Sequence, residues 1–104
     1  MSGRIHDQIT AENFAKWAEQ HDHLIDRHEN TTLGCAAAQF LCSLGFLHPS
    51  VGNAAYFSDW SFFGDSVRTS SPHWMREVVM AWDAGQRSGS EFARIARDAE
   101  RVTA

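Results

Sequence analysis

A chain of 104 residues, 43% hydrophobic and 21% charged, has the size and balance of one globular domain with a single core. The net charge of −4 is unevenly laid down: residues 1–66 hold eight acids against three bases, residues 67–104 five against six. So acidic an N-terminal half excludes direct binding to nucleic-acid phosphates, which need Lys and Arg, and suits docking on a basic surface of another protein.

The opening MSGRIHDQ lacks the apolar core of a signal peptide. Asn30 to Ser58 carries no charged residue, yet its dense apolar run, Leu33 to Leu47, is shorter than the roughly 20 residues a membrane span requires, and it contains Gln39. Cys35 and Cys42, if helical, lie about 10.5 Å apart along the axis, too far to bridge. Free, buried thiols then imply a reducing compartment, most simply the cytoplasm.

In chain order, Thr10 caps a predicted helix over 11–29. Phe14, Trp17, Ala18, His21, Leu24, Ile25 and His28 recur there at steps of three and four. The stretch 33–44 is apolar nearly all round and predicts a buried central helix, with Gly45 at its C′ position and Phe46 following. VGNAAYFSDWSFFGDS admits one or two short helices, with Ser58 as a cap, or a hairpin AAYF–SD–WSFF. Ser-Asp without Gly is a poor two-residue turn, and helix is favoured. A helix over 72–84 follows from Ser71 as cap, Pro72 at the first position, Gly85 past the end, and a Trp74, Val78, Ala81, Trp82 stripe. Ser88-Gly89-Ser90-Glu91 is a capping box opening a last amphipathic helix over 89–102, with Arg94 and Asp98 paired on its exposed face. The expected fold is all-α, a compact single-domain bundle of four to six helices.

Residues 21–28 read HDHLIDRH, which raises the prospect of a metal site. At about 100° per residue, His21 and His28 fall in the apolar arc and His23 on the opposite side, so the three cannot converge on one ion. Only Glu19–His23 and His23–Asp26 keep chelating spacing, and two surface ligands make a weak site. The expectation is no metal, no cofactor and no catalytic residue. A neutral histidine in the stripe can be satisfied by one hydrogen bond, which is the favoured reading; the sharper alternative is a pH switch, since burial lowers a histidine pKa and acid would then charge the core.

The opposite face of the same helix is acidic. Glu12, Glu19, Asp22, Asp26 and Glu29 lie in a band roughly 100° wide, either a solvated face or a row of carboxylates facing a basic partner. Tyr56, Phe57, Trp60, Phe62 and Phe63 crowd eight positions. Most of these rings belong in a core, but Tyr56 and Trp60 with small polar neighbours also suit the centre of a binding contact. No G-x-S-x-G, phosphate loop or CxxC is present.

Three resemblances bear on these residues. His21-Asp22, with His6 ahead and Asp59, Asp65 or Asp83 behind, resembles the His-Asp doublet of HD-type metal-dependent phosphohydrolases, which are all-α. That resemblance implies a small hydrolase. Cys35, Asp83, Arg87 and Glu91 resemble a pattern in small actinobacterial and phage helical domains of unknown function. At the level of class, a small, acidic, helical protein is similar to inhibitors encoded by phages and mobile elements, such as anti-CRISPR proteins. The leading expectation is therefore an interaction protein that uses Glu12, Glu19, Asp22, Asp26, Glu29, Tyr56 and Trp60. Its partner would be a protein with a basic surface, most concretely one that handles nucleic acid. The hydrolase, or a homo-oligomeric module pairing through the aromatic segment, is the alternative.

Overall fold

The computed structural model describes residues 7–22, 36–46, 49–51, 56–60 and 64–103. Its elements are helix α1 (Ala11–Gln20), helix α2 (Ala36–Ser43), strands β1 (Pro49–Ser50), β2 (Tyr56–Trp60) and β3 (Ser66–Ser70), and helices α3 (His73–Asp83) and α4 (Gly89–Thr103). The three strands form one antiparallel sheet in the order β1-β2-β3. The fold is therefore mixed, helices with a small sheet, and the expected all-α bundle is overturned.

The error lay in residues 56–70. Ser58 and Asp59, weighed as a helix cap or a hairpin turn, stand in the middle of β2 opposite Arg68 and Val67 of β3. The chain reverses later, in a connection that includes Gly64 at φ 87°, a backbone conformation side chains disfavour. Tyr56–Trp60 is strand because the aromatic residues on it find a partner strand, SVRTS, whose Val67 and Thr69 are β-branched. Alternation then turns Phe57 into the core and Tyr56 outward.

The helices match the sequence more closely. Thr10 caps α1 in an extended conformation, its hydroxyl accepting from the Asn13 amide at 3.1 Å. However, α1 ends at Gln20, short of the expected 29. His21 leaves the helical region, and its ring nitrogen Nδ1 takes up the Trp17 carbonyl at 2.8 Å. Residues 23–30, which hold the rest of that expected helix, lie outside the described residues. Helix α2 closes as foreseen, with Gly45 at φ 110° and the Phe46 amide donating to the Leu41 carbonyl at 3.2 Å. Helix α3 starts one residue late: Pro72 occupies the cap position without a side-chain bond, and the Ser71 hydroxyl is buried without a hydrogen-bond partner.

Phe14 organises the core from α1. Its ring meets Trp74 of α3 at 5.2 Å, Phe40 of α2 at 5.4 Å in an edge-on contact, and Trp17 at 5.9 Å. Around them pack Ala36, Ala37, Ala38 and Leu41 from α2, Met75, Val78 and Val79 from α3, and Phe92 and Ala96 from α4. Helix α1 packs most extensively on α4, and Gly89 makes the approach possible, because a Cβ there would collide with the Ala18 carbonyl. The sheet joins this core through Phe57, edge-on to Phe46 at 5.7 Å, and through Val51. Among the described residues no polar or charged side chain is fully buried.

Candidate functional site

Three of the five carboxylates expected to meet a partner are turned onto α4. Arg97 projects from α4 between Glu12 and Glu19, donating from Nη2 to Glu12 at 2.9 Å and from Nη1 to Glu19 at 3.2 Å. Its Nε also reaches Glu12 at 3.1 Å, so that pair is two-pronged. Hydrogen bonding by Arg97, with the charges of Arg97 and Lys16 assisting, holds the Glu12 carboxyl below its ordinary value. The same bonds, to Glu12 first and Glu19 second, push the Arg97 guanidinium above its own. The cluster of two carboxylates and one guanidinium carries one net negative charge, half of what the two acids alone would show.

Asp22 is engaged more completely. Its Oδ1 accepts from the Gly89 amide at the first residue of α4, so Asp22 acts as a cap supplied from elsewhere in the chain. Asp26 and Glu29 lie outside the described residues. The expected carboxylate row thus contains, in its described part, two residues bridged by Arg97 and one helix cap.

His21 and Asp22 are each engaged within the fold, and His6, the earlier histidine of the His-Asp resemblance, lies outside the described residues. Nδ1 of His21 sits on the Trp17 carbonyl, which can only accept, so that nitrogen carries a proton and its ring lies flat on the Trp17 indole with centroids 5.2 Å apart. The other member of the doublet is bound to Gly89. Among the described residues no group of three or more His, Cys, Asp or Glu is placed to hold a metal ion. His21 is half-buried rather than a core residue. The expected core pH switch therefore has no basis at His21, and His28 lies outside the described residues.

The residues of the actinobacterial-like pattern act locally. Arg87 stacks over the Trp82 indole at 3.7 Å and donates to the Trp82 carbonyl at 2.9 Å, closing the end of α3. Glu91 bonds Arg94 at 2.6 Å, which holds the Glu91 carboxyl below its usual range and raises Arg94. The expected capping box is half present: the Glu91 amide lies 3.4 Å from the Ser88 hydroxyl, while the Ser88 amide is taken by the Gln86 side chain. Cys42 is exposed rather than buried, though partial burial first and Asp59 second still push its thiol upward. Cys35 lies outside the described residues.

The sheet presents the other surface. Tyr56 is 42% exposed at the start of β2, and Val67 on β3 is 66% exposed. The Arg68 guanidinium stands over the Tyr56 ring, 4.6 Å from its centroid, and makes no ion pair with any described residue. The register places Arg68 opposite Ser58 and Ser70 opposite Tyr56, so Tyr56, Ser58, Arg68 and Ser70 share one face. Trp60 belongs to β2, and its side chain lies outside the described residues. Sequence reasoning selected Tyr56 for its ring but missed Arg68 and Val67. The one available signal was Arg68 itself, a lone base between residues of small or neutral side chain.

Comparison of the chain with family models, with curated proteins and with solved structures gave no match. Among the described residues no helix is long and apolar enough to cross a membrane.

Proposed function

We propose that this chain is a non-enzymatic interaction protein that binds a partner protein and inhibits or regulates it. One observation carries the proposal: Tyr56, exposed and with the Arg68 guanidinium stacked over its ring, forms an aromatic and cationic patch on the outward face of the sheet. Tyr and Arg are the residues most often found at energetic centres of protein contacts. Tyr56, pinned between its strand and a guanidinium, loses little freedom on binding.

In its most concrete form the protein is an inhibitor of the kind that phages and mobile elements encode, covering a nucleic-acid-binding surface of its target. The acidic N-terminal half favours approach to such a surface. Glu12 and Glu19 contribute to that approach only after Arg97 is offset, so the contact is centred on the sheet rather than on α1. An exposed thiol at Cys42 fits a reducing compartment, and we place the protein in the cytoplasm.

The test is capture of partners from host lysate by wild type, by Tyr56→Ala/Arg68→Ala, and by Glu19→Lys/Asp26→Lys, each first shown to melt cooperatively. The expected result is a partner retained by wild type and weakened at least about tenfold by the sheet variant. Loss confined to the carboxylate variant would return the contact to α1. Identical captures by all three would remove the proposal.

A further inference from the structure

α3 and α4 lie side by side, the first turns of α3 next to the middle of α4, and the surface between them dips into a hollow of about 290 Å³. Ile95 and Ala99 give it an apolar floor, and His73, Glu77, Arg94 and Asp98 stand around it. These four side chains are open to solvent, from 41% at Glu77 to 60% at Arg94.

Along α4 the rim continues as Glu91, Arg94, Asp98 and Arg101, at steps of three, four and three, which is one face of a helix. Charge alternates along this row. Neighbours pair within the helix, Arg94 with Glu91 at 2.6 Å and with Asp98 at 3.3 Å, and Arg101 with Asp98 at 3.9 Å. Exposed pairs of this kind are weak and leave donors and acceptors to spare. With two acids and two bases the row is neutral, on a chain whose net charge is −4. Two copies can therefore approach through it without the repulsion that their net charge imposes elsewhere.

An alternating row of four opposes acid to base at every position when it is turned end for end about its centre. We propose that a second copy of this chain docks on the α3–α4 face, with the two α4 helices antiparallel about a two-fold axis that passes between Arg94 and Asp98. Glu91 then meets the second copy's Arg101, Arg94 meets its Asp98, and symmetry repeats both contacts. The same axis crosses α3 between His73 and Glu77, which stand across the hollow from Arg94 and Asp98, so His73 can donate to the second copy's Glu77. The aliphatic stems of Arg94 from both copies lie over Ile95 and Ala99 and fill the hollows.

Charge also selects the register. An axis placed on Arg94 or on Asp98 would set that residue against itself, and a parallel pair would do so at all four positions. The contact goes beyond the interaction reading above and uses none of its residues, since neither Tyr56 nor Arg68 lines the hollow.

The experiment is sedimentation equilibrium of the full chain as wild type, Arg94→Glu, Asp98→Arg, an equimolar mixture of those two, and the double variant Arg94→Glu/Asp98→Arg. Both positions are exposed, and a thermal melt of each chain verifies its fold. Wild type should dimerise in the micromolar range and loosen as salt rises. Each single variant sets like charges across the axis and should dimerise at least about tenfold more weakly. The mixture restores an acid opposite every base, and the double variant does so within one sequence, so both should recover the dimer. Wild type that stays monomeric up to about 100 μM, or single variants that dimerise as wild type does, would overturn the contact. So would a mixture and a double variant that associate no more tightly than the single variants. All of these outcomes leave capture of a partner through Tyr56 and Arg68 standing, so failure of the dimer and failure of the interaction protein are told apart.

Discussion

The α1–α4 side and the β2–β3 side of this molecule invite opposite readings from sequence and from structure. On the first, a dense row of acids looks available for a partner, yet Arg97 bridges two of them and Gly89 binds a third. On the second, a short Ser-rich strand looks inert, yet it holds an arginine that makes no ion pair among the described residues, and Val67, an exposed aliphatic side chain. Charge density along a helix says little about free charge, because a helix that packs on another can satisfy its charges there. What is left over after packing is the better guide to where a partner binds.

This contrast can be broken or sharpened by substitution, starting from what holds α1 in place. Phe14→Ala empties the junction of α1, α2 and α3 and should destabilise the fold by about 3–5 kcal/mol in denaturant titration. A loss under about 1 kcal/mol would mean that α1 is peripheral and its carboxylates are free to dock after all. Gly89→Ala comes next, at roughly 1–3 kcal/mol, because the added Cβ meets the Ala18 carbonyl, which is backbone and cannot swing aside. Asp22→Ala removes the cap on α4 and should lower stability by about 1 kcal/mol, with Asp22→Asn recovering part of it.

A pH series separates the Arg97 bridge from simple packing. Glu12 is held below its ordinary value in the folded state, so its contribution is fully present above the unfolded glutamate value, about 4.3. That contribution disappears as pH falls through the lower folded value. The melting temperatures of wild type and Arg97→Gln should therefore differ slightly at pH 7 and converge toward pH 3, and parallel curves would count against the bridge. Smallest of all, Arg68→Ala should change stability by no more than about 0.5 kcal/mol, since its side chain is exposed and stands over the equally exposed Tyr56. A large loss there would make Arg68 a structural residue and undercut its proposed role.

The helical part of the fold was legible because it is locally encoded. Thr10, Gly45 and Gly85 mark helix ends through bonds to neighbours within a few residues, and the Phe14, Trp74 and Val78 stripes repeat at the helical period. The sheet was not legible, because YFSDW is strand only by virtue of SVRTS ten residues later, and SVRTS has no buried face of its own to announce it. The site was missed for a related reason. The partners of Glu12, Glu19 and Asp22 lie 85, 78 and 67 residues away, where no local spacing rule reaches. Tyr56, singled out as the centre of a contact, is exposed, but the Arg68 that stands over it depends on strand register.

The Arg97 bridge also orders events in time. Contacts across 85 residues require a large loop to close, and that entropy must be met before the bonds return anything. During synthesis at about 5–20 residues per second, α1 leaves the ribosome on the order of ten seconds before α4 is available to receive it. Through that interval its apolar face, with Phe14 at the centre, is without its final neighbour, whereas α3 and α4 adjoin in sequence and can pair as soon as both emerge. Glu12 and Glu19 keep their full charge through that interval and lose half of it only when Arg97 arrives, so the same two carboxylates that close the fold are at their most hydrated while α1 waits.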